Sequence, residues 1–456
     1  MQSADAPTLV GFGEEPFSIP VRPGDALRWA FLALLIANLG RIPVFSLGSN
    51  DATVVLNDLA IVGLGVFCLV NATLRHSLWI DAVGWFALAF AAVGFGSAVA
   101  AVPRFGLSAF QLLVSLSYLF RWIAYFGVYL FIVNNVRPDQ VSGIWRSLST
   151  VILAFVAFGI LQSFFLPDFA QIVYPDSRGI DWDPQGHRLV STVLEPNIAA
   201  AMILLVLLIQ LAQIAVGARV KWWEPSLLLV GLALTLSRSA ILGLIVGIGV
   251  IVLVRGISVR LMRLFGLILF LSIALIPQLI SVARTYGRFD FGQGTSAGTR
   301  VVAWLLALQV FVDHPVFGVG FNTFGYVRES LGQELLGHSG YGSDGGLLFA
   351  AVMTGIVGLA LYLAMLWAVL RRCRRIWRDQ RIPAELRGIA VGVAAGIPAI
   401  CVESLFANSI FTTFVMEILW VTWALTFVVA RQQRAQPDFG EGELGRPLAV
   451  AADAVT

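Results

Sequence analysis

The sequence predicts an all-α, polytopic integral membrane protein, and three observations carry that reading. Hydrophobic residues make up 58% of 456 positions and charged residues only 12%, a balance foreign to soluble domains. Mean hydropathy is +0.85. The apolar residues also run in unbroken stretches, such as 227–236 and 240–254, where an outer-membrane barrel would alternate. A bilayer core about 30 Å thick needs about 20 apolar residues per spanning helix, and the chain has enough for about twelve. A soluble enzyme, a disordered chain and a single-anchor protein are excluded.

Taken in order, the candidate helices lie at about 27–46, 54–72, 78–102, 107–133, 146–166, 196–216, 224–237, 239–254, 261–282, 344–370, 388–407 and 411–430. Charged or Pro/Gly-containing breaks separate them. The first 26 residues carry Asp5, Glu14, Glu15 and four prolines but no basic region, so they read as a cytoplasmic segment and not a cleaved signal. With that end inside, the inner connections hold Arg75, then Arg137 and Arg146, then Arg219 and Lys221, then Arg255, Arg260 and Arg263. The tenth helix is followed by Arg371, Arg372, Arg374, Arg375, Arg378, Arg381 and Arg387, whereas the outer connection at 103–106 holds Arg104 alone. This is the positive-inside bias. It assigns 27–430 to a transmembrane domain and 431–456 to a flexible cytoplasmic tail.

Two outer connections, about 167–195 and 283–343, are too long to be turns, and long loops in compact proteins are usually functional or disordered. Their Tyr, Trp, Phe, Gly and Pro content argues against disorder. The second contains an apolar stretch, 301–312, too short to span and flanked by Arg300 and Asp313, which predicts a helix lying at the membrane surface. A net charge of +3 gives no reason to expect nucleic acid. Cys68, Cys373 and Cys401 have no metal or disulfide spacing, and no Walker loop, zinc ligand set or dinucleotide fingerprint is present, so no cofactor is expected.

The outer arginines carry the chemistry: Arg178, Arg188, Arg238, Arg284, Arg288, Arg300 and Arg328. A guanidinium is a planar fork of donors matched to phosphate oxygens, so a site lined by such groups suits a lipid-linked diphosphate. Long loops translocate regardless of charge, and Arg178, Arg188 and Arg328 are therefore read as solvated or paired with Asp176, Asp181, Asp290 or Glu329. Arg238 differs, being pinched in Ser237-Arg238-Ser239 between two apolar runs, where a charge calls for a partner or ligand. Asp313-His314-Pro315 reads as a helix stop, with Gly318 and Gly320 permitting a tight return, and His187 as a loop-surface group. Pro196 in Glu195-Pro196-Asn197 is a normal helix start. His338 and Asp344 flank the tenth membrane helix, where either could take the proton of a sugar hydroxyl attacking an anomeric carbon. Glu403 and Glu417 are intramembrane carboxylates that Arg41 and Arg121 could neutralise.

Glu195-Pro196-Asn197, Ser237-Arg238-Ser239-Ala240, Arg300 four residues before Trp304, Asp313-His314-Pro315 with Gly318-Val319-Gly320, and Thr354-Gly355-Ile356-Val357-Gly358 together resemble the O-antigen ligase and polymerase superfamily, best over about residues 185–365. The resemblance implies a bacterial inner-membrane glycosyltransferase of the multi-helix, lipid-linked-donor type with its site facing the periplasm. Such proteins move a glycan from undecaprenyl diphosphate to an acceptor hydroxyl without metal or nucleotide sugar. The acceptor is the lipid A core in ligases and another lipid-linked repeat unit in polymerases. Ligases resemble one another in a His-Asn or His-Ser pair where this chain has Asp344, eleven residues before Gly355. Asp-Gly-Gly-Leu-Leu there looks more like the polymerase branch.

The expectation is therefore that Arg238, Arg288 and Arg300, with Arg284 assisting, hold the donor diphosphate, and that Asp344 or His338 acts on the acceptor hydroxyl. Expected partners are the undecaprenyl-diphosphate-linked oligosaccharide, the acceptor glycan, membrane lipids, and chain-length or export proteins. A small-anion or solute transporter using Arg121, Glu403 and Glu417 is the rival from another class. Internal symmetry, which would favour it, is not visible in the sequence.

Overall fold

The computed structural model describes residues 40–41, 43–47, 52–75, 78–173, 187–256, 296–330 and 345–435. Helices follow the apolar runs: α1 Leu56–Arg75, α2 Ala82–Phe105, α3 Ala109–Asn135, α4 Val141–Phe165, the short α5 Phe169–Val173, α6 Pro196–Ala215, α7 Trp223–Leu234 and α8 Arg238–Arg255. After them come α9 Ser296–Asp313, α10 Phe324–Ser330, α11 Gly346–Arg378, α12 Ala384–Glu403 and α13 Thr413–Ala435. Among the described residues, eight helices are long and apolar enough to cross a membrane. The architecture is that of an all-α, multi-pass membrane protein. The expected helix at 261–282 lies outside the described residues.

One departure comes early. Helix was expected to run through 46, but Pro43–Leu47 forms β1, paired antiparallel with β2 at Ala52–Val55. Pro43 cannot donate to a helical ladder, and Val54 and Val55 are β-branched residues that favour a strand. Two other boundaries also move. The fourth helix starts at Val141, before the expected 146, because Arg146 is an exposed helical residue pairing with Glu385 at 3.4 Å and not a break. The last helix continues to Ala435, five residues into the expected tail.

Short connections make successive helices alternate in direction. Around the buried α6, whose apolar residues face neighbours on all sides, pack α7, α8, α12 and α13. As a result α6, α8, α11 and α13 begin at the same end of the bundle, where α7 and α12 finish. That end is the junction end; the other carries the arginines of the last turns of α11, Arg371 to Arg378.

Candidate active site at a junction of helix ends

At the junction, motifs far apart in the sequence meet through short polar side chains. Glu195 stands just before α6 without a capping hydrogen bond from its side chain, and Pro196 occupies the first turn, where a missing N–H costs nothing. The Ser237 hydroxyl, at the start of α8, donates to Asn197 Oδ1 at 3.2 Å and lies 3.0 Å from the Ser239 hydroxyl. Ser239 in turn donates to Glu403 Oε1 at 3.4 Å. One residue on, the Ser404 carbonyl accepts the Gly346 N–H that opens α11, at 2.8 Å. Three helix N-termini are thus drawn toward one buried carboxylate. Helix N-termini carry partial positive charge and oriented N–H groups, so they attract anions.

Arg238 is the first residue of α8. Its side chain is exposed, while Ser237 and Ser239 on either side are buried. Its confinement between apolar runs therefore does not bury it; the turn that leads into α8 carries a positive φ, 53°, at Leu236. His187, Ser191 and Leu194 near the start of α6 also have positive φ. Non-glycine residues in this region cost of order 1 kcal/mol or more each, and such strain clusters at functional sites. Arg41 joins the same rim, its guanidinium 3.4 Å from Glu195 and its backbone N–H donating to Thr192.

The loop before α6 folds inward. Arg188, expected to be solvated, is 7% exposed and donates from Nε to the Thr235 carbonyl at 2.8 Å, satisfying the end of α7. Gln162 Oε1 accepts the N–H groups of Val190 and Ser191 at 3.1 Å each. Arg328, also expected to be solvated, is 1% exposed and stands over the Phe324 ring at 5.8 Å. Burial pushes its pKa down. Both corrections have one cause: these loops pack against the helices and bring their arginines with them. His187 is exposed, as read from the sequence.

The segment after α9 explains the glycine motifs. Helix α11 breaks at Gly355, with φ 65° and ψ −168°, and the turn segment Pro315–Gly320 lies across the break. Val319 and Gly320 donate to the Val352 and Met353 carbonyls at 2.9 and 3.1 Å, while Ile356 donates to the Pro315 carbonyl at 2.8 Å. The groups freed by the break are thus paired again, as an apolar setting demands. A Cβ on Gly318 would collide with the Val352 carbonyl oxygen, and one on Gly355 with that of Val316. His314 ends α9, as expected for a stop residue, and its Nδ1 accepts from Arg104 at 2.6 Å. Burial, then the Arg104 charge, holds its pKa below the usual imidazole value.

Among the residues expected to act, His338, Asp344, Arg284 and Arg288 lie outside the described residues, as does Arg178. Arg300 lies in the second turn of α9; its side chain is not described. One turn further, the Trp304 ring packs against Phe406, tilted by 52° with centroids 5.4 Å apart, at the turn in which Phe406 N–H bonds the Glu403 carbonyl. The expected neutralising pairs are replaced: Arg41 pairs with Glu195, and Arg121 with Asp58 at 2.7 Å. Glu417 is 1% exposed, and its carboxyl oxygens make no hydrogen bond among the described residues. Reading motifs singly missed the link between Ser239 and Glu403, which stand 164 residues apart; only the rarity of a carboxylate inside an apolar run pointed to it.

In comparison with known proteins, residues 226–363 match a family model described as O-antigen ligase. The match spans α7 through the first half of α11 and contains Arg238, Arg284, Arg288, Arg300, His338 and Asp344, but not Asn197 or Glu403. It supports the O-antigen ligase/polymerase superfamily. No curated protein matches the chain.

Proposed function

Starting from the O-antigen ligase/polymerase superfamily to which residues 226–363 point, we propose that the chain transfers a glycan from undecaprenyl diphosphate to an acceptor sugar hydroxyl at the periplasmic face of the bacterial inner membrane. The acceptor is a second lipid-linked repeat unit, so the product is a lengthened O-antigen or exopolysaccharide. The observation that carries this reading is the junction itself: Arg238 exposed at the start of α8, where α6 and α11 also begin.

In this reading Arg238, Arg284, Arg288 and Arg300 grip the diphosphate and stabilise the charge that builds on it as the bond from the anomeric carbon to the phosphate oxygen breaks. Asp344 or His338 takes the proton of the acceptor hydroxyl, whose oxygen forms the new glycosidic bond. Undecaprenyl diphosphate leaves. Gly345, next to Asp344 in the chain, begins the turn that Ser404 ties beside Glu403, which supports a base at this end of α11. Arg41 and Glu195 shape the rim at the start of α6. The transmembrane domain is 27–430, and chain-length regulators and export proteins are its expected partners.

Purified protein given a lipid-linked oligosaccharide, with no metal added, should yield longer lipid-linked chains. Transfer only to lipid A core would make it a ligase. Replacing Arg300 with Lys should impair turnover, because a point charge does not replace a fork; unchanged polymer yield and length would count against the clamp. A second reading, a small-anion or solute transporter, draws on the Asp58–Arg121 pair and buried Glu417. Solute uptake by proteoliposomes in the absence of glycan transfer would favour it.

A further inference from the structure

Glu403 is fully buried at the junction, and the transfer reaction as proposed leaves it without a task. It ends α12, holds Ser239 of α8, and adjoins the carbonyl that receives the first N–H of α11. Through Ser239, Ser237 and Asn197 it reaches the first turn of α6. A carboxylate fixed where three helices begin, and bonded to the residue that follows Arg238, draws on the same positive field that would attract a mobile anion.

We propose that Glu403 is a built-in counter-ion of the diphosphate site, balancing its positive charge between transfers and repelling the polyprenyl diphosphate product so that it leaves. The inference rests on the reading of the junction as a diphosphate site. Like charges on the order of 10 Å apart in a partly buried setting repel enough to change affinity about tenfold. A purely structural role predicts the opposite sign, since loosening the junction would weaken binding.

The test measures the affinity of the purified full chain for undecaprenyl diphosphate in detergent, together with kcat and KM for transfer. Glu403→Gln, which keeps size and hydrogen bonding, should bind the diphosphate about tenfold tighter, with lower KM and lower kcat, and Glu403→Asp should restore wild-type affinity. Asn197→Asp, which adds a negative charge to the same junction, should weaken binding by a similar factor and gives an answer even if Glu403→Gln does not fold. Equal or weaker binding by a folded Glu403→Gln protein, or unchanged binding by Asn197→Asp, overturns the proposal. Wild-type protein that binds no diphosphate, unaffected by Arg238→Lys, sinks the reading of the site and this inference with it. Binding that Arg238→Lys weakens but Glu403→Gln does not tighten removes the role of Glu403 alone.

Discussion

The two ends of the bundle use arginine in opposite ways. At the end where α11 finishes, Arg372 is closed into a half-buried network: Asp81 accepts from it, the Tyr129 hydroxyl accepts at 3.1 Å, and Phe427 lies 4.9 Å from it. Asp81 is fully used, since it also accepts from Tyr129 at 2.9 Å and caps α2 through Gly84 N–H. At the junction end, Arg238 is exposed while the polar groups beneath it bond one another and Glu403. A guanidinium surrounded by its own carboxylate and aromatic neighbours ties helices together. One presented at an exposed helix N-terminus, at the end where three helices begin, is placed to meet something from outside.

Removing each arginine in turn should separate the two uses. Arg372→Ala leaves the half-buried Asp81 without its charge partner, and the cost of breaking a buried pair, about 3–5 kcal/mol, is its upper bound. Its thermal midpoint in detergent should fall steeply, while any protein that survives keeps its turnover per folded molecule. Arg238→Ala should do the reverse, lowering turnover about 10²–10³-fold, the usual effect of removing one charge-stabilising donor, with stability within about 0.5 kcal/mol as for other exposed positions. If Arg238→Ala instead unfolds the protein, the contrast between the ends is lost. Between them stands Gly355→Ala, which should destabilise by about 2 kcal/mol or more from φ strain and the clash with Val316. It should also depress turnover, because the break it distorts lies in the helix that opens at the junction; a melting shift without loss of turnover would detach that crossing from the site.

Much of the fold was legible because the membrane imposes length and composition on every span. The ends were less so. Helix α11 outruns its expected limit of 370 because Cys373 and Ile376 are buried on one face while Arg374, Arg375 and Arg378 are exposed on the other, an amphipathic pattern that a scan for uniformly apolar runs stops at. Of the site, the local motifs could be read, and the return expected at Gly318 and Gly320 proves to be a backbone crossing over the break at Gly355. The loop arginines could not be placed. Whether Arg188 faces water or the Thr235 carbonyl depends on how residues 187–195 fold back, and side chains such as Gln162 that hold them there lie on another helix. The joining of Asn197, Ser237, Ser239 and Glu403 is likewise a tertiary fact.

The smallest expected effect concerns the other edge of the junction end, where Arg104 donates to His314. Since Arg104 is always charged, Nδ1 must accept, so the neutral imidazole carries its proton on Nε2. The folded pKa lies below the ordinary value of 6.5, first through burial and then through Arg104. Below about pH 6.5 the unfolded chain therefore binds more protons at this position than the folded one, and linkage makes stability fall as pH falls through that window. Melting curves between pH 7.5 and about 5 should show a modest decline, and His314→Gln, which can still accept from Arg104 but does not titrate, should flatten the part of it due to this residue. A decline of equal slope in the variant would assign the pH dependence to other groups and leave the Arg104–His314 contact as packing alone.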